Sequence, residues 1–360
     1  MRLVADSGLW STGQQGAQSQ LVAVLEVSGA VLSWTVDDAA HAAQITFTDP
    51  DRADWLWRVL GEPGHVALAA ALDGRTPGAP IDLTDVNLRP ESLEPLRRLA
   101  LGHWLRRWWP TSARDGFAAL DGALLDAEIA VLTAGAEEFF TDDTFDSDVA
   151  ALLRPHTAAL STHLDGGDPR VVELVRTCAD LAGDLGIAFA EPHSVTPRRD
   201  DYALAAGTNG ERRGGGAIAT GAESVNWGAV PPGIFDAAEN TIEWRVEAVA
   251  GSAKAVVRVE LSGAGLAAGI GVRMRSGDFS GASVLDADGV ATFAILDGQQ
   301  PLAESAAWDH DWRSTRVTIG ADVQEAPQTR ERIRDFVRAR LRAPVGDAFL
   351  AEVLAAESDY

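Results

Sequence analysis

Lysine and cysteine are nearly absent from this sequence, and both absences exclude chemistry. Lys254 is the only lysine among 360 residues, and its setting, GSAKAVVRVEL, matches none of the lysine motifs of known catalytic sites. P-loops, kinase-type phosphate clamps, Schiff-base enzymes and lysine-borne cofactors are therefore set aside. Cys178 is the only cysteine. It permits neither an intrachain disulfide nor a multi-cysteine zinc site, which suits a reducing compartment. No apolar run reaches the roughly 18 residues that a membrane span needs. The opening MRLVADSGLWSTGQQG has neither the apolar stretch nor the small-residue cleavage site of a signal peptide. The expected location is the cytoplasm. His-Glu-x-x-His, Cys-x-x-Cys, a Gly-x-Ser-x-Gly elbow and a Gly-x-Gly-x-x-Gly turn after a strand are missing too, so no cofactor is expected.

What is present is a globular composition with a large acidic surplus. Hydrophobic residues make up 46% and charged ones 23%, which is far from disorder, and the length suits two or three domains. The formal charge of −23 repels nucleic acid and anionic lipid unless a local patch overcomes it. Arginines cluster at Arg89, Arg97, Arg98, Arg106, Arg107 and Arg114, and again at Arg330, Arg332, Arg334, Arg338, Arg340 and Arg342. In the first cluster they scatter around the helical wheel instead of forming a stripe, so no nucleic-acid partner is expected. These arginines are expected to pair with the acidic surplus.

The segment SLEPLRRLALGHWLRRWWP, Ser92 to Pro110, predicts a helix capped by Ser92, with Pro95 in its first turn and Pro110 ending it. Leu93, Ala100, Leu101, Trp104 and Trp108 form one face, and Leu99, Leu105 and Trp109 fill much of the rest. A helix apolar nearly all round is buried on several sides, so this one is expected to be the hub of a helical layer. Before it, QLVAVLEV, AVLSWTV and AQITFTD predict strands, the first two joined by a Ser28–Gly29 hairpin. A short helix from Asp49 to Gly61 comes next, and HVALAAAL is open between strand and helix. After the hub come helices over Asp115–Ala134, over Val149–Leu164 with a break at Pro155, and over Arg170–Gly186 behind an Asp168 cap. The acidic run EEFFTDDTFDSD lies between the first two of these and is expected to be a linker or solvated face. TPRRDDYALAAGTNGERRGGG marks a domain boundary, and its GERRGGG reads as flexible loop.

Beyond that boundary the period becomes two. ESVNWGAV, TIEWRVEAV, KAVVRVELS, GIGVRMRS, GASVLD, VATFAIL and STRVTIG predict short strands, with a hairpin turn at DADG, Asp286 to Gly289. The run VRVELSGAGLAAGIGVRMRSGDFSGASVLDADGVATFAIL, within residues 220–322, resembles transthyretin-like and related immunoglobulin-like sandwich repeats. In those repeats a D-x-D-G-type turn precedes a strand ending in an aromatic. The resemblance implies an antiparallel β-sandwich and no activity. Thr329–Leu341 predicts a helix with Ile333, Phe336, Val337 and Leu341 inward and with Glu331–Arg334 and Asp335–Arg338 as surface pairs. A last short helix is expected from Asp347, docked on its own chain or on a partner.

The expected fold is α+β and multidomain: a small α+β module (1–80), a helical domain (81–192), a linker (193–216), an antiparallel β-sandwich (217–325) and C-terminal docking helices (326–360). Two constellations could carry chemistry. Asp121 and Glu128 are seven apart on one helix, and His156 and His163 are seven apart on another; between packed helices they could hold a divalent metal in a hydrolase-type enzyme. WDHDW, read as a strand, places Trp308, His310 and Trp312 on one face; with Trp227 and Trp244 they could form a glycan or peptide platform. No convergent catalytic set appears. The expected function is therefore non-enzymatic: an adaptor or scaffold that engages other proteins through the sandwich and through a tail containing Phe349, Leu350 and Tyr360.

Overall fold

The computed structural model describes residues 1–13, 19–38, 42–137, 139–140, 146–164, 167–189, 216–263, 265–323, 325–344 and 346–358. Most of the 193–216 linker, the GERRGGG loop, much of the acidic run and Tyr360 lie outside these residues. The fold is α+β, with antiparallel sheets and helices, in two compact units. The first comprises Met1–Trp109, Leu120–Pro192 and Pro327–Tyr360, and the second Pro110–Ala119 and His193–Ala326. The segments expected as an N-terminal module, a helical domain and docking helices thus contribute to a single unit. The reason is the hub helix, whose apolar sides need all three.

The first unit opens with strands β1 (Arg2–Asp6), β2 (Leu9–Ser11), β3 (Val22–Val27), β4 (Ala30–Thr35) and β5 (Gln44–Phe47). Helix α1 (Leu56–Leu72) is next, then β6 (Ile81–Asp82) and the hub, α2 (Glu94–Trp108). The sheet runs β3-β4-β5-β2-β1-β6, antiparallel throughout, and Ser28–Gly29 joins β3 to β4 as expected. HVALAAAL is helical. Gly61, at φ 72°, interrupts α1 instead of ending it. Ser92 does not cap the hub: it lies in a 3-10 turn, Pro90–Leu93, and its hydroxyl donates to the Arg58 carbonyl. Trp104 fixes α2 at two points. Its indole N–H donates to the Gln20 carbonyl at 2.8 Å, and its ring meets Phe336 edge-on at 5.4 Å.

Helix α3 (Gly122–Glu137) starts seven residues later than expected from Asp115, because 110–119 belongs to the second unit. There Gly116 turns the chain, Phe117 pairs with Ser112 and is buried, and the buried Asp236 accepts from the Ser112 hydroxyl and from the N–H groups of Ala113 and Ala238. Helices α4 (Asp146–Leu153) and α5 (Thr157–Ser161) flank a 3-10 turn at Pro155. Helix α6 (Pro169–Asp184) has the expected Asp168 cap, which accepts from the Arg170 N–H.

The second unit is a sandwich. Its strands are β7 (Ala217–Glu223), β8 (Ile242–Val249), β9 (Ser252–Val259), β10 (Gly271–Ser276), β11 (Phe279–Val284), β12 (Val290–Ala294), β13 (Leu296–Asp297), β14 (Gln300–Pro301) and β15 (Arg316–Ile319), with α7 (Glu304–Asp309) before the last. A four-stranded sheet, β12-β9-β8-β7, and a five-stranded sheet, β14-β13-β11-β10-β15, enclose one apolar core. ESVNWGAV, expected as a strand, only finishes β7 and then turns through a 3-10 segment at Trp227. Trp244 lies flat across Gly221 on the neighbouring strand, where a Cβ would sit 2.3 Å from the indole.

The chain closes with α8 (Pro327–Arg342) and α9 (Leu350–Ser358). Ile333 and Val337 are buried as expected, but so are Arg330, Arg334 and Arg340, so the proposed Glu331–Arg334 surface pair is not formed on an outer face. Asp335 and Arg338 do pair, at 2.8 Å. Arg340 reaches both Glu352, at 2.7 Å, and Asp347, at 2.9 Å. Burial works against the Arg340 charge, yet these two carboxylates outweigh it and hold its pKa above the ordinary value. Asp347 also accepts from Arg97 at 3.1 Å, and Glu128 accepts from Arg98 and from the Leu350 N–H. This lattice seats Phe349, which is wholly buried against Gly102, where a Cβ would come within 2.8 Å of its ring. Phe349 was expected at a partner contact and is instead part of the first unit's core. Leu350 is half-buried beside it. Phe349→Ala leaves a cavity that only partial collapse can fill, so chemical denaturation should show a loss of about 3–5 kcal/mol in the first unit.

Candidate contact face

Three of the four proposed metal ligands make other contacts. Asp121 caps α3, accepting from the N–H groups of Ala123 and Leu124. Glu128 is held by Arg98 and Leu350, and burial, partly opposed by those two donors, raises its pKa. His156 meets Asp126, a residue not singled out from the sequence, with Nε2 at 3.0 Å from Oδ2. His163 is half-buried. Among the described residues no three His, Cys, Asp or Glu side chains are grouped so as to hold a metal. The Asp126–His156 pair has the look of an acid–base relay, with Arg106 at 3.1 Å from the carboxylate. It lacks a nucleophile, since Asp126 is the only side chain hydrogen-bonded to His156 among the described residues. The signal for Asp126 was its place between Leu125 and Ala127 on the buried side of α3.

Cys178 is equally closed. Its thiol lies 3.5 Å from the Ala127 carbonyl, and burial, with the nearby Glu128 charge second, pushes its pKa up to about 12. A thiolate is the reactive form. In the folded chain Cys178 should therefore not react with a disulfide reagent at pH 8 and should react fully once denatured.

WDHDW is not a strand. Trp308 and Asp309 end α7, Asp311 caps a 3-10 turn, and Trp312 begins it. Trp227, Trp244 and Trp312 are buried, which leaves only Trp308 of the proposed platform exposed, at 54%. His310 is packed between Phe279 and Trp312 and contacts the buried Ser276 at 2.9 Å. Counting hydrogens settles what this pair can do. Thr315 has one hydroxyl hydrogen and lies 2.7 Å from the Trp312 carbonyl, a pure acceptor, and 2.9 Å from Ser276. The Thr315 hydrogen goes to the carbonyl, the Ser276 hydrogen to Thr315, and His310 Nε2 donates to Ser276. A histidine that donates to a serine is not its general base.

The unusual surface lies elsewhere on the sandwich. On the outer face of the four-stranded sheet opposite charges share register across strands, Glu243 opposite Arg258 and Glu247 opposite Lys254, and Glu247 forms its ion pair with Arg245 of its own strand. On β10 the buried Val272, Met274 and Ser276 alternate with the exposed Arg273 and Arg275. Arg275 is registered directly opposite Arg316 of β15, while Thr318 and Ala282 flank Arg273 and Ser280 flanks Arg275. Among the described residues Asp297 is the only carboxylate in the strands of this sheet, and its register with Phe279 puts it on the alternate face. Among the described residues neither Arg273 nor Arg275 makes an ion pair or side-chain hydrogen bond. Arg316 feels the Glu223 charge on β7. Val284, 56% exposed, continues the same outward row on β11.

No family model, no curated protein and no solved structure matches this chain. The resemblance of 220–322 to transthyretin-like repeats therefore stands on its motif alone. The arginine face can nonetheless be tested physically. Like charges directly opposite on neighbouring strands destabilise a sheet, and threonine suits a strand better than arginine. Arg275→Thr should raise the stability of the second unit by about 0.2–1 kcal/mol in a denaturation curve.

Proposed function

We propose that this protein is a non-enzymatic scaffold that engages another protein through the outer face of its five-stranded sheet. One observation carries the reading: a molecule of charge −23 leaves Arg273 and Arg275 without counter-charges on that face, while the other sheet of the same sandwich sets glutamates in register opposite arginine and lysine. Exposed charge that a fold leaves unmatched is available to a partner, and arginine is enriched where proteins meet. The side chains with catalytic potential, by contrast, are otherwise engaged: Cys178 is buried, Ser276 has spent its hydrogen and the exposed Asp121 caps α3. The expected tail contact does not enter this reading, because Phe349 and Glu352 hold the start of α9 inside the first unit. Among the described residues no helix is long and apolar enough to cross a membrane.

Site-specific photo-crosslinking in the native host tests the face. A crosslinking residue at Ala282 or Val284 should yield a discrete adduct with another protein, and one at Val66, exposed on α1, should not. Equal adducts at all three positions, or none at the first two, would remove the support for a contact face.

A further inference from the structure

Resting on that contact-face reading, we propose that the face takes an extended acidic segment of a partner protein, with carboxylates at every second residue. The geometry sets the spacing. Arg273 and Arg275 leave the same strand on the same side, so their origins are about 6.5–7 Å apart. An extended segment repeats its own side chains at that interval, which brings successive alternate carboxylates over successive guanidinium groups. Arg316, opposite Arg275, adds a third guanidinium at one of the two positions, with the Glu223 charge near it. Each guanidinium can bind a carboxylate through two parallel hydrogen bonds. The hydroxyls of Ser280 and Thr318 stand beside the arginines as additional donors or acceptors.

Nucleic acid fits the face less well. Its phosphates carry charge far beyond the arginines into the field of a molecule of −23, which opposes long-range approach. The outer row around the arginines, Ser280, Ala282, Val284 and Thr318, contains no aromatic ring on which a base could stack. A short acidic segment brings only the charges that the arginines meet.

The test uses the full-length chain and fluorescence anisotropy with synthetic probes. One peptide alternates glutamate and threonine over eight residues, its isomer places the same glutamates in a block, and a third replaces them with glutamine. A thymidine oligonucleotide of equal charge is the fourth probe. The alternating peptide should bind roughly tenfold more tightly than the block isomer, and the glutamine peptide should not bind. Arg275→Gln should weaken the alternating peptide roughly tenfold, Arg275→Lys should restore only part of that loss, and Arg245→Gln on the opposite sheet should change nothing. Circular dichroism confirms that the variants remain folded. Equal affinity for the two isomers, tighter binding of the oligonucleotide, insensitivity to Arg275→Gln, or self-association through this face in sedimentation would each overturn the proposal. Should crosslinks at Ala282 or Val284 persist while the acidic peptide fails to bind, the acidic segment falls and the contact face stands. Loss of both removes the two together.

Discussion

A helix that is apolar on nearly every side cannot be left at a surface, and the first unit is arranged around that constraint. Leu96, Leu99, Leu101, Trp104 and Leu105 of α2 each remain at 3% exposure or less, which needs cover from strand β3, from α3 and from the chain's own C-terminal helices. Gly102 is the narrowest point of that cover, since it admits the Phe349 ring where any side chain would collide. A ring can occupy such a notch only if its backbone is held. Asp347, Glu352 and Glu128 hold it from three directions, each paired with arginine from α2 or α8. Buried ion pairs of this kind add little net stability compared with apolar packing, but losing one partner strands a charge. Their contribution here is to fix where the tail goes.

Local signals in the sequence proved readable where one residue acts on its own backbone. Asp168 as a cap, Pro155 as a break, Ser28–Gly29 as a hairpin turn and the period-two strands from Ile242 onward all appear in the structure. The hub helix was readable as well, because its leucines and tryptophans are spread around most of its circumference. Failures came where a distant partner decides the outcome. WDHDW has strand-like alternation, yet Trp312 donates to the Ala307 carbonyl and Asp311 caps a turn, so the segment coils into helix and 3-10 turn. Asp115–Phe117 has helical spacing relative to Leu120 and Leu124, but Ser112 and Asp236 draw it into the second unit. The Asp121–Glu128 and His156–His163 spacings assumed that two helices face each other in one register. Asp126, two residues before Glu128, is the carboxylate that meets His156.

The arginine face was invisible for a different reason. In the sequence GIGVRMRS shows only alternation, and STRVTIG lies some forty residues further on. Nothing local says that β15 pairs with β10, or that the register brings Arg316 opposite Arg275. Clusters of arginine in the linear sequence drew attention to α2 and α8, where Arg97, Arg98 and Arg340 are in fact consumed by carboxylates of the same unit. Arg273 and Arg275, separated in sequence from Arg316, are gathered with it on one exposed face by strand pairing.

The contrast between the two faces of the sandwich says more about function than exposure alone. Solvent screens isolated surface charges, so one unpaired arginine means little. The four-stranded sheet demonstrates that this chain can place glutamate opposite arginine and lysine when only its own stability is at stake. On the five-stranded sheet the same acidic protein sets arginine opposite arginine and keeps its single strand carboxylate on the other side. Like charges in register disfavour the free sheet, offset at Arg316 by the Glu223 charge, and an acidic partner of the kind proposed would relieve them further. Under the proposed contact, a net charge of −23 would oppose the long-range approach of a polyanion, whereas a short segment would interact mainly with the local field of the arginines. Selectivity in such a contact would come from the match of spacing at contact range, which strand geometry supplies.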